Sequence, residues 1–148
     1  MRTISISLKT GIAEFVQDLA KTRRTLELSE QNGTLSGRFA IVELPLKVKA
    51  VEEGQSRTRP IRIHGIRIGP ACIVGFPGEV FSETSMAVKE ATAPDLVIVN
   101  SYTSGGSAGY VPVRGAYETG GYEVRVSPYS EDAEDRLREA FTDLINEL

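Results

Sequence analysis

A chain of 148 residues fits one domain, long enough to bury roughly two-thirds of the surface of its unfolded form without a disulfide or metal staple. With 17 Lys and Arg against 20 Asp and Glu the net charge is -3, and 41% hydrophobic and 25% charged residues are ordinary for a globular domain. Neither a basic cluster nor an aromatic platform argues for nucleic acid as a partner.

The start, "MRTISISLKTG", lacks the apolar core and cleavage site of a signal peptide, and no apolar run is long enough to span a bilayer. The expectation is a cytoplasmic chain with no transmembrane segment. "TISISL" (3–8) alternates Ile4, Ile6 and Leu8 with polar residues, the period of a half-buried strand. In "IAEFVQDLAKTRR" (12–24), Ile12, Phe15, Val16 and Leu19 recur at helical spacing, and basic residues gather at the end where they suit the helix dipole. From Thr25 to Val51 the chain reads as strand, Asn32-Gly33 turn and longer strand. A polar loop, "EGQSRTRP" (53–60), follows.

"IRIHGIRIG" (61–69) and "ACIVGF" (71–76) are two strands split by Gly69-Pro70. The second is apolar throughout, as is "DLVIVN" (95–100), and runs apolar on both faces belong inside a covered sheet. Cys72, the single cysteine, reads as a small buried hydrophobe in this setting and excludes a disulfide within the chain. A helix is predicted over 79–91, burying Phe81, Met86 and Val88. "SEDAEDRLREAFTDLINEL" closes the sequence as an amphipathic helix, with Leu137, Phe141, Leu144 and Leu148 on one face and Ser130, Glu131 and Asp132 as its capping start. The fold class is therefore α/β: one domain over 1–148, a mixed sheet with helices packed on it. Strands 71–76 and 95–100 are its adjacent central parallel pair, and helix 79–91 is a right-handed crossover between them.

Both apolar strands run into glycine-rich polar loops, "GFPGE" and "NSYTSGGSAGYVP". For parallel neighbours these loops emerge at one edge of the sheet, where α/β proteins bind ligands. Glu79 then faces Asn100, Tyr102 and Tyr110 across a crevice, with Gly105, Gly106 and Gly109 letting the backbone approach a ligand. The plainer reading of Glu79 is a first-turn acid that helps a helix start. "SGGSAG" lacks the Lys-Ser/Thr of a phosphate loop and the spacing of a dinucleotide fingerprint. His64, the only histidine, shares a strand face with Arg62 and reads as a solvated or hydrogen-bonded side chain rather than a metal ligand. There is no His-Glu-x-x-His helix and no cysteine pair, and no catalytic residue is assigned.

A set of ordered motifs resembles the neutral/alkaline ceramidase family in its bacterial, ceramidase-like branch. These are Arg67-Ile68-Gly69, Pro77-Gly78-Glu79, Gly109-Tyr110-Val111-Pro112, and Tyr117-Glu118 with Tyr122-Glu123, and the likeness runs from about residue 39 to 148. The resemblance implies the C-terminal part of a zinc-dependent amidase domain much longer than this chain. It also implies that Glu79 and Tyr110 stand where two zinc ligands would be. The family's two histidine ligands come from an N-terminal half with no counterpart here, and His64 matches neither. A carboxylate and a phenol alone are an incomplete set for zinc.

The resulting expectation is a stand-alone ceramidase-like domain, non-catalytic, that binds a small molecule or a protein partner through the crevice near Glu79 and Tyr110, with no cofactor. The alternative is part of a split or truncated amidase whose histidines come from another chain, with zinc as its cofactor. An oligomer of this chain could complete such a site.

Overall fold

The computed structural model describes residues 26–30, 33–92, 96–103 and 107–148. The expected strand 3–8, the expected helix 12–24, Gly105 and Gly106 lie outside these residues.

Strand β1 (Leu26–Glu30) and strand β2 (Gly33–Pro45) pair antiparallel, closing at Glu30 opposite Gly33. Gly33 thus belongs to the ladder rather than to the turn. The long strand ends sooner than expected, because Val48–Glu52 forms a short helix, α1. Strand β3 (Thr58–Ile68) starts inside the segment expected to be a loop and pairs antiparallel with β2 along its whole length. A turn at Gly69, whose φ of 56° suits glycine, leads into β4 (Ala71–Gly75), antiparallel to β3.

The crossover is shorter than the sequence pattern suggests. Glu79 and Val80 form a two-residue strand, β5, and the helix α2 spans only Ser82–Ala91. Its buried positions are Thr84 and Val88, one turn apart, while Met86 is 66% exposed and Phe81 is the residue before the helix. Strand β6 (Leu96–Asn100) then pairs parallel with β4, as expected. The order is β1-β2-β3-β4-β6, so among the described residues β4 has neighbours on both sides and β6 closes the row. A second strand pair, β5 with β7 (Tyr110–Val111), stands apart from this sheet. Helices α3 (Arg114–Thr119), α4 (Tyr122–Val126) and α5 (Ala133–Asn146) complete the chain.

One face of the sheet carries the core. Val42, Leu44, Ile61, Ile63, Cys72, Val74 and Val97 point to it, and α5 covers them with Leu137, Phe141, Leu144 and Ile145. Each fully buried aliphatic or aromatic side chain of this kind contributes about 1.5–3 kcal/mol. Ser130 does not cap α5: its hydroxyl donates to Asp132 Oδ1, while its backbone N–H donates to the Pro45 carbonyl and ties the helix start to the end of β2.

On the other face the isoleucine pattern of β3 changes. Strand β3 passes through Gly65 without a break in register, so the phase of its isoleucines flips. Ile61 and Ile63 face α5, while Ile66 and Ile68 share the opposite face with Arg62 and His64. Gly65 lies under the C-terminal end of the chain, and a Cβ there would meet Leu148 Cδ1 at 2.8 Å and Leu144 Cγ of α5 at 3.0 Å.

Candidate functional site

The site is built where the parallel strands end. Beyond β4 the segment 76–80 is stitched on two sides to the segments that follow β6. Phe76 N donates to the Asn100 carbonyl and Thr103 N to the Phe76 carbonyl, both at 3.0 Å. Tyr102 N donates to the Gly78 carbonyl, Ala108 N to that of Pro77, and Glu79 N to that of Gly109, again at 3.0 Å. These bonds satisfy loop groups that a parallel ladder leaves open, and they fix the two loop segments against each other.

Two glycines make this stitching fit. A Cβ on Gly78 would fall inside van der Waals contact of the Gly109 carbonyl oxygen and close to Phe76 Cε1. On Gly75 it would meet the Thr103 side chain at 2.8 Å. Gly109 has φ 81°, the left-handed region, and this turns its carbonyl toward Glu79 N. The glycine expected to open space for a ligand thus shapes the loop itself.

Strands β5 and β7 are parallel with Glu79 in register with Tyr110 and Val80 with Val111. Side chains of paired residues lie on the same side of a ladder, so carboxylate and phenol meet. The Tyr110 and Tyr102 hydroxyls are both influenced by the Glu79 carboxylate. Hydrogen bonding toward Glu79, with partial burial and the charge of Glu79, pushes the Tyr110 phenol up to about 12; Tyr102 is raised by the same causes. Glu79 is therefore no helix-start acid. The first turn of α2 has its own, Glu83.

Tyr102 reaches Glu79 from a strained backbone. Its φ is 59°, the only positive value for a non-glycine among the described residues, and its ring is 71% exposed. Tyr110 is backed by Tyr122, whose ring stands edge-on to it at 81° with centroids 6.1 Å apart. Arg125 lies over the outer side of Tyr122, 5.7 Å from its centroid. The Tyr110 carbonyl accepts from Ser127 Oγ at 2.8 Å, and the buried Tyr129 hydroxyl donates to the Ala108 carbonyl at 2.7 Å. Tyr117 in turn donates to the Tyr129 carbonyl at 2.9 Å.

Of the residues singled out from sequence, Glu79, Tyr102 and Tyr110 come together, and Asn100 takes part through its carbonyl. Gly105 and Gly106 are outside the described residues. Tyr122, Ser127 and Tyr129, which back and anchor the site, follow from no local pattern, although Tyr122 belongs to the motif that carried the family resemblance.

His64 stands on the second face of the sheet, in register with Phe39 on β2 and Gly75 on β4. Its ring is tilted against Phe39 at 6.4 Å, and burial, then the nearby Arg62 guanidinium, lowers its pKa below the usual value. Among the described residues no three His, Cys, Asp or Glu side chains are grouped to hold a metal ion. Glu79 with the phenols of Tyr102 and Tyr110 offers neither histidine nor thiolate, so these three residues by themselves do not fit a zinc centre.

No protein-family model and no curated protein matches the chain. Solved structures similar to it include two ceramidases. The neutral ceramidase from Pseudomonas aeruginosa superposes with a TM-score of 0.55 at 19% identity over 80% of this chain and 28% of its own. A ceramidase complexed with C2 gives 0.57 at 15% identity, over 80% of this chain and 30% of its own. The chain thus spans under a third of the length of these ceramidases. Among the described residues no helix is long and apolar enough to cross a membrane. The fold of this chain is that of part of a bacterial neutral ceramidase, the likeness that its ordered motifs implied.

Proposed function

We propose that this chain is a ceramidase-fold binding module that takes a small ligand at Glu79 without catalysing a reaction. One observation supports the reading: a backbone ladder sets Glu79 in register with Tyr110 beyond the ends of the parallel strands, ready before any ligand arrives. An anionic group flanked by Tyr102, Tyr110 and Tyr122 suits a ligand with a cationic or strongly donating polar group, since aromatic rings favour cations as the carboxylate does. The test is a calorimetric and NMR screen of small amines and amino alcohols against the wild type and Glu79→Gln. Binding that disappears in the variant supports the reading. Turnover of an amide by the purified chain overturns it.

A second reading is favoured by the share of the ceramidases that the chain spans, 28% and 30%. In it the chain is one part of a divided zinc-dependent amidase, and Glu79 and Tyr110 join histidines brought by another polypeptide. Elemental analysis separates the two readings. One zinc per chain, lost in Glu79→Ala, would establish this second reading.

A further inference from the structure

Arg125 stands at the rim of the site and is held by a ring rather than by a carboxylate. On α3 and α5, Arg114, Arg136 and Arg138 each pair with an aspartate or a glutamate. Arg125 on α4 has no such partner among the described residues: its guanidinium carbon lies 5.7 Å from the Tyr122 ring centroid. The nearest acid in sequence, Glu123, sets its carboxylate beside Gly121 at the start of the helix.

The segments that build the site also fix this guanidinium. Tyr122 and Arg125 are three residues apart on α4, a spacing that makes them neighbours on one helix face. Tyr122 stands edge-on to Tyr110, and Ser127, the residue after α4, donates its hydroxyl proton to the Tyr110 carbonyl at 2.8 Å, so α4 and β7 are positioned together. Lys47 Nζ donates to the Val124 carbonyl and ties α4 to the segment before α1. Glu79, in register with Tyr110, and Arg125, against Tyr122, thus mark the two ends of a tyrosine pair. The ring contacts between them are 6.1 and 5.7 Å, distances that a short aliphatic chain spans. Tyr122 is exposed, so a ligand can approach along this line.

We infer that the ligand of this site is an aminocarboxylic acid, its ammonium group at Glu79 and its carboxylate at the Arg125 guanidinium. An amine alone meets the negative pole and leaves the positive one unmatched. A carboxylate gains the paired N–H donors that arginine presents in one plane, and complementary charge at both ends orients the molecule along the tyrosines. This rests on the reading of Glu79 as a binding carboxylate.

Calorimetry on the full chain tests it with two probe series of matched, increasing length, n-alkylamines and ω-aminocarboxylates. At its best length the aminocarboxylate is expected to bind at least about tenfold more tightly than the amine. That advantage should vanish in Arg125→Gln and shrink as salt is raised. Equal affinities at every length, or an advantage that survives Arg125→Gln, overturn the inference. Amine binding that Glu79→Gln abolishes, with no gain from the added carboxylate, overturns it while the reading of Glu79 stands. Failure of both series to bind overturns the two together.

Discussion

Glu79 and Tyr110 are direct partners in a parallel ladder only two residues long, which places a carboxylate against a phenol at the end of the parallel strands. The ladder draws together segments thirty residues apart in sequence, and its consequence is measurable as proton affinity. Ultraviolet titration should show one tyrosine ionising near 12, well above the ordinary 10. In Glu79→Gln, which keeps an acceptor but removes the charge, that step should fall back toward 10. The sign of the linkage is fixed: a phenol raised in the folded state adds stability that is fully present below pH 10 and is lost as pH rises from there through 12.

Gly78→Ala should be costly. The added Cβ meets a backbone carbonyl, that of Gly109, which cannot rotate away as a side chain could. Overpacking of this kind costs about 1–3 kcal/mol, read as a lower urea midpoint at unchanged slope. Gly115→Ala, where the Cβ meets nothing within 4 Å near the start of α3, should leave the midpoint nearly unchanged. Equal effects at the two sites would contradict the close approach at Gly78.

Tyr129→Phe removes the donor to the Ala108 carbonyl while leaving the ring packed. An unsatisfied buried acceptor costs about 1–3 kcal/mol. Because Ala108 leads into β7, the same variant should also bring the high tyrosine titration step closer to 10. A loss of stability with no movement of that step would make Tyr129 a core residue only.

His64 should titrate below its ordinary 6.5, first from burial and then from the Arg62 guanidinium. Its lowered value means that this histidine contributes stability above pH 6.5, lost as pH falls through the folded-state pKa. The ring protons report the midpoint directly by NMR. Arg62→Gln should move the midpoint part of the way back up, since burial remains.

Patterns of local period were legible in the sequence. The closing helix was expected from Leu137, Phe141 and Leu144, and the parallel pairing of 71–76 with 95–100 from their continuous apolar runs. What misled was phase. Helical spacing drawn from Phe81 carried the expected helix back to Glu79, but the Pro77-Gly78 turn and the bond from Glu79 N to the Gly109 carbonyl hold those residues extended. Met86 looked like core because it is apolar, yet α2 buries only Thr84 and Val88. At the site, Glu79 and Tyr110 were visible as loop residues at one sheet edge. Their pairing in register depends on hydrogen bonds between loops distant in sequence, which no local pattern encodes.

The left-handed backbone of Tyr102 has a consequence for any experiment that improves this protein. A tyrosine in that conformation costs roughly 1–2 kcal/mol that a glycine would not. A library of variants sorted on heat resistance alone should therefore enrich glycine or asparagine at position 102 and discard the phenol that holds Glu79. Sorting the same library on binding should keep the tyrosine, and the divergence of the two outcomes at this one position would separate a residue selected for rigidity from one selected for what it touches.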